Sequence, residues 1–261
     1  MQLGLLPRAS AAIRQALVQS LLDLSTRKMR TADIARAFRG RTFWRVIGLK
    51  AEVESGADAA LLAESSSAHL RTLRLEGPKV SDEAVEALLP RLPALEALSL
   101  CKCVRITDRT LAAVAAAAAA ARASGSGALS AFSLAWAPLV TDRGFAALGN
   151  GPIWTSLQLH GLPQLGANGL AALGPSLAHL KQLQLWSCER VDDVALVRLA
   201  PLLAELEACD LRRCDKVTSA APLWKKCSAL TSRVSARACA SACVRAGGRA
   251  CGCVVFVCMC V

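Results

Sequence analysis

The sequence has no tyrosine, and aromatic residues make up only 4% of its 261 residues. Any core it builds is therefore aliphatic. No apolar run reaches the roughly 18 residues that a membrane-crossing helix needs; the run from Leu111 to Ala121 is shorter and mostly alanine. The N-terminal "LGLL" is too short for the apolar region of a secretory signal. Histidine occurs only at positions 69, 160 and 179, far apart in the chain. There is no glycine-rich phosphate loop, no G-x-S-x-G and no H-E-x-x-H. No nucleophile, base and acid can be grouped, so the expectation is a protein that is not an enzyme and uses no cofactor or metal.

Acidic residues are missing from residues 1–22 and again from 225–261. The net charge of +11 is correspondingly uneven. Residues 1–50 hold ten Lys/Arg against Asp23 and Asp33, and residues 225–261 hold six Lys/Arg with no acid. The ends are basic and the body between them is slightly acidic, which does not suit a continuous nucleic-acid-binding surface. Arg8, Arg14 and the stripe Ile13, Leu17, Leu21 and Leu24 also fit an organelle-import helix, an alternative to an ordinary basic amphipathic helix. Twelve cysteines are present, six of them in the last 23 residues. The six in the body lack secretory context and read as reduced thiols of a cytoplasmic or nuclear protein.

Apolar residues make up 54% of the chain, and they recur in a pattern. "LKQLQLWSCERVDDVALVRLA", beginning at Leu180, alternates like a strand and then spaces its apolar residues like a helix. Numbering its first leucine as position 0, leucines follow at 3 and 5, a cysteine at 8 and an acidic pair at 12 and 13. The same grammar starts at Leu70, Leu95, Leu129, Trp154 and Leu206, at intervals of 25, 34, 25, 26 and 26 residues. The long interval contains "LAAVAAAAAAARASGSG", an Ala-rich insertion over 112–127. Each L-x-x-L-x-L predicts a short strand. The segment from position 12 predicts a helix, capped by a Thr, Ser or Asp oxygen. Neither half buries its apolar face alone, so the units must stack.

The phrases "LEALSLCKCVRITDRTLAAV", "LVTDRGFAAL", "LKQLQLWSCERVDDVALVRL" and "LEACDLRRCDKVT" resemble the cysteine-containing leucine-rich repeats of F-box/leucine-rich-repeat proteins. The resemblance covers residues 70–223. It implies an α/β fold: a right-handed leucine-rich-repeat solenoid with parallel strands on its concave face and helices on its convex face. Leu73, Leu98, Leu157, Leu183, Leu75, Leu100, Leu134, Leu159, Leu185 and Leu211 should be nearly buried. Cys103, Cys188 and Cys214 fall at position 8 and should be buried small apolar residues rather than metal ligands. The repeat at Trp154 departs from the pattern, with Leu162 at position 8 and Gly166 and Ala167 where the cap belongs.

Three regions follow: 1–68, 69–230 and 231–261. The first reads as two or three helices, including Ser10–Leu24 and Thr31–Phe38, forming either a helical N-terminal cap or a degenerate F-box-like segment. Leu6-Pro7 and Trp44 carry the F-box likeness, which implies docking of residues 1–50 onto a cullin-type ubiquitin ligase adaptor. The last region, rich in Cys and Val, breaks the repeat after Leu230. A disordered or spurious tail is the leading reading; its "CMCV" ending fits a lipid-anchor outline, and its C-x-C pairs a soft-metal site.

The expected function is protein–protein interaction through the concave face; the resemblance implies, as its finer form, substrate recognition for an SCF-type ubiquitin ligase. The alternative is a peripheral membrane or nucleic-acid-surface protein acting through its basic ends, although neither membrane nor nucleic acid is the favoured partner. Position 6 of successive repeats should face the partner, placing His160, Trp186 and Arg212 at the centre. Position 4 adds Gln158, Gln184 and Asp210, and position 7 adds Trp136 and Arg213 at the rim. Trp and Arg offer large contact area with a polar handle, which is why they dominate binding hot spots.

Overall fold

The computed structural model describes residues 22–30, 46–52, 70–125, 129–151 and 153–218, the first two stretches as backbone. The chain forms two units, Met1–Leu129 and Ser130–Val261. Both are α/β, with parallel strands and, in the crossovers among the described residues, helices.

In the first unit the strands are β1 (Leu22–Arg30), β2 (Val46–Glu52), β3 (Thr72–Glu76) and β4 (Ala97–Cys101). They pair in chain order, all parallel. Helix α1 (Asp82–Leu88) follows β3, and α2 (Asp108–Ser124) follows β4. The register sets Leu73 beside Leu98 and Leu75 beside Leu100, and all four are buried. Alternate side chains of a strand point to opposite faces, so positions 3 and 5 line the helix-covered face together. The alanine-rich stretch is the second half of α2, a 17-residue helix. Val114, Ala115, Ala118 and Ala121 are buried along it, and it ends at Gly125 in the left-handed conformation, φ 66°. A residue without Cβ suits that C-terminal position. The insertion therefore lengthens a repeat helix rather than opening a loop.

The second unit pairs β5 (Ala131–Ala135), β6 (Ser156–His160), β7 (Gln182–Gln184) and β8 (Ala208–Asp210), again parallel and in chain order. Helices α3 (Asp142–Gly149), α4 (Ala167–Ala172) and α5 (Asp193–Leu199) occupy the crossovers. Phe132, Leu157, Leu183 and Cys209 form one buried row across the strands, and Leu134 and Leu159 begin the next. Leu185 and Leu211 are buried as well. Trp154, at position 0 in place of leucine, is fully buried with its ring centroid 5.7 Å from that of Phe132.

The N-terminal region differs from its expectation. Leu22–Leu24, assigned above to the end of a helix, open strand β1, and Val46–Glu52 form β2 in register with β3. The β-branched pair Val46-Ile47 suits a strand, and the backbone groups of β3 supply the partner that fixes it. Tertiary pairing overrides the local amphipathic pattern at Leu22–Leu24. Residues 10–21, the helix expected at Thr31–Phe38 and the 231–261 tail lie outside the described residues.

Candidate interaction surface

Every repeat turns out of its strand in the same way. Position 7 has positive φ six times: Gly77 (143°), Lys102 (55°), Trp136 (58°), Gly161 (59°), Ser187 (56°) and Arg213 (57°). Four non-glycine residues accept a conformation that side chains ordinarily avoid. The backbone hydrogen bonds explain why it is held. Within the first unit Gly77 N–H donates to Cys101 O at 3.2 Å. Within the second, Trp136, Gly161 and Ser187 N–H donate to the carbonyls of His160, Trp186 and Arg212 at 2.9, 2.8 and 2.9 Å. The ladder is thus carried one residue past β3, β5 and β6, and past β7 through Leu185 and Ser187, which donate to Asp210 O and Arg212 O.

Position 8 is then buried in every repeat but the first, where Pro78 is exposed. The Cys188 thiol donates to Leu159 O at 3.2 Å and the Cys214 thiol to Leu185 O at 2.6 Å, each crossing to the preceding strand. The Cys103 sulfur lies 3.9 Å from Leu75 O. Burial pushes Cys103 and Cys188 up to about 12 and Cys214 up to about 11. These thiols remain protonated donors at neutral pH, unlike a nucleophile or metal ligand, which acts as thiolate. Among the described residues no group of three or more His, Cys, Asp or Glu is placed to hold a metal ion. Within the same residues no helix is long and apolar enough to cross a membrane.

On the other face of the second unit's strands, the expected interaction residues come together unevenly. Trp136 is 42% exposed, and its ring lies over Gly161: a Cβ on Gly161 would stand 2.5 Å from Trp136 Cε3. Trp186 is half-buried rather than exposed, because three neighbours cover it. Trp136 meets it edge-on with centroids 6.2 Å apart, and His160 does so at 5.7 Å. The Arg213 guanidinium stacks on the Trp186 ring, 5.6 Å from its centroid. Edge-on and cation-over-ring placements both match the ring quadrupole.

Gln158, Gln184 and Asp210 stand in one register row. His160 Nε2 lies 3.1 Å from Gln184 Oε1. That oxygen only accepts, so Nε2 carries the proton. Burial holds the His160 pKa below the ordinary imidazole value; Gln184 and Asp210 oppose that shift, and Arg212 adds to it. The imidazole is therefore neutral at pH 7. Arg212 was expected at the centre beside Trp186, but its guanidinium is engaged by Asp210 two residues back, Nη2 to Oδ2 at 2.6 Å and Nε to both carboxylate oxygens. Its neighbour Arg213, placed at the rim from sequence, takes the position on Trp186. The left-handed backbone at Arg213 redirects its side chain, and nothing in the residue pattern announced that. Gly161 was also missed; a glycine in the column next to a tryptophan was the available signal.

No family model and no curated sequence matches the chain. Among solved structures it is similar to a chain in the crystal structure of the Rad7 and Elc1 complex in yeast, with 14% identity and a TM-score of 0.47. The match covers 83% of this chain and 62% of that one, so this chain spans less than two thirds of that chain's length.

Proposed function

We propose that this chain is a non-enzymatic protein-interaction module, a leucine-rich-repeat solenoid of the cysteine-containing type that binds a partner protein on its strand face. The observation that carries the reading is the cluster Trp136, His160, Trp186 and Arg213 on the strand face of the second unit, in which exposed Trp136 and Arg213 flank the half-buried His160 and Trp186. Gln184 and the Asp210–Arg212 pair border it. Aromatic rings held rigid by one another lose little freedom on binding, which favours a hot spot. The position-8 thiol bonds, repeated on one strand carbonyl after another, support the cysteine-containing repeat.

The finer reading makes the module the substrate-recognition part of a ubiquitin ligase, with residues 1–50 docking on the ligase adaptor. It rests on the sequence resemblance. Two experiments separate the layers. Binding of a captured partner should weaken on Trp186→Ala, whatever residues 1–50 do. Recovery of a cullin-ligase adaptor with the full chain, lost on deleting residues 1–50, would establish the finer reading; its absence from an intact, folded chain would leave the interaction module alone.

A further inference from the structure

The charge on the aromatic cluster narrows what binds there, given the interaction reading above. Arg212 is neutralised by Asp210. His160 is uncharged at neutral pH, since burial lowers its pKa. Gln158 and Gln184 carry no charge. In the adjoining loops each acid is followed directly by a base, Glu189 by Arg190 and Asp215 by Lys216. Among the described residues of the patch one cation is left over, Arg213, which is exposed and has the Trp186 ring against its guanidinium. Stacking fixes the plane of a guanidinium but leaves its N–H edges free, and those edges match the two oxygens of a carboxylate. On the other side of the Trp186 ring stands an exposed apolar group, Trp136, 42% exposed and with its centroid 6.2 Å from that of Trp186.

We propose that the partner presents an acidic-apolar segment here, with one Asp or Glu carboxylate received edge-on by Arg213 and an adjacent apolar side chain laid on Trp136. A single uncompensated cation matches a single negative charge.

The test uses the full chain and four octapeptides, (Glu-Leu)4, (Gln-Leu)4, (Lys-Leu)4 and (phosphoSer-Leu)4, with binding read from tryptophan fluorescence and calorimetry. The Glu peptide should bind at least tenfold more tightly than the Gln or Lys peptides. Arg213→Gln should abolish that preference with the melting temperature unchanged, and the preference should shrink as salt is raised. Equal binding of the Gln or Lys peptide, an unaltered preference in Arg213→Gln, or tighter binding of the phosphopeptide would each overturn the carboxylate assignment. If the captured natural partner is still lost on Trp186→Ala while the Glu preference is absent, the interaction reading stands and only its acidic partner falls.

Discussion

Gly161 shows how much the patch depends on one missing methyl group. Its φ is 59°, and an added Cβ would stand 2.5 Å from the Trp136 ring. Gly161→Ala must both strain the backbone and displace the tryptophan. It should cost about 1–3 kcal/mol in urea unfolding and shift the tryptophan emission; an unchanged spectrum would mean that the ring does not rest there. His160 makes a pH prediction. Its folded pKa lies below the unfolded value, so the folded chain binds fewer protons there. The associated stability is complete above the ordinary imidazole pKa and is lost as pH falls through the folded one. His160→Gln should flatten that part of the stability profile, and NMR titration of the ring should give a midpoint below that of a free imidazole. At this scale the sequence was only partly legible. Repeat position alone set Gln158, Gln184 and Asp210 in one row, but the order of residues does not show that Arg212 turns back onto its own Asp210 while the left-handed backbone at Arg213 carries that side chain onto Trp186.

At the scale of elements, the helix starts carry more than caps. Thr107 and Thr141 accept from the N–H two residues on, each at 3.3 Å, and Asp192 accepts from Ala195 N–H at 2.9 Å, as the polar residues before these three helices predicted, whereas Ser81 before α1 makes no side-chain cap. The acid in the first turn does something else: it reaches into the next repeat. Asp82 accepts from the Thr107 N–H at 2.9 Å and from the hydroxyls of Thr107 and Thr110. Asp142 accepts from Gly166 N–H at 2.8 Å, and Asp193 from the N–H and hydroxyl of Thr218. Burial opposes ionisation of Asp82, but the hydrogen bonds from Thr107 and Thr110 outweigh it and hold its carboxyl below the usual range. The repeat that lost its own cap, at Gly166, is thus tied by its predecessor's aspartate. Gly169 has room for that carboxylate only because it lacks a Cβ, which would lie 2.4 Å from Asp142 Oδ1. Asp142→Ala should destabilise the second unit by about 1–3 kcal/mol, the range for a hydrogen bond to a charged group. Replacing the exposed Asp215 should change little. Equal effects in denaturant melts would show that the tie between repeats contributes nothing. The spacing of Asp142 and Gly166 made this pairing readable only once the strands were aligned in register.

For the whole molecule, the repeating part was legible because one physical rule generates it: positions 3 and 5 bury, as does position 8 in every repeat but the first, and the next segment is helical. Leu159, buried to 0% exposure, illustrates the consequence. Leu159→Asp places an unpaired charge in the apolar row and should abolish the circular dichroism of the second unit. The N-terminal strands were not legible, since β1 and β2 owe their conformation to a neighbour some tens of residues away rather than to their own periodicity. The central claim is that the strand-face aromatic cluster binds a protein. The most direct test is quantitative affinity capture with the full chain, its Trp186→Ala variant and the surface control Val197→Ala, each shown to have the same melting temperature. The account predicts partners shared by the wild type and the control and depleted at least tenfold with Trp186→Ala, a loss of about 1.4 kcal/mol or more, as for a hot-spot truncation. An identical set of captured proteins from all three would contradict it.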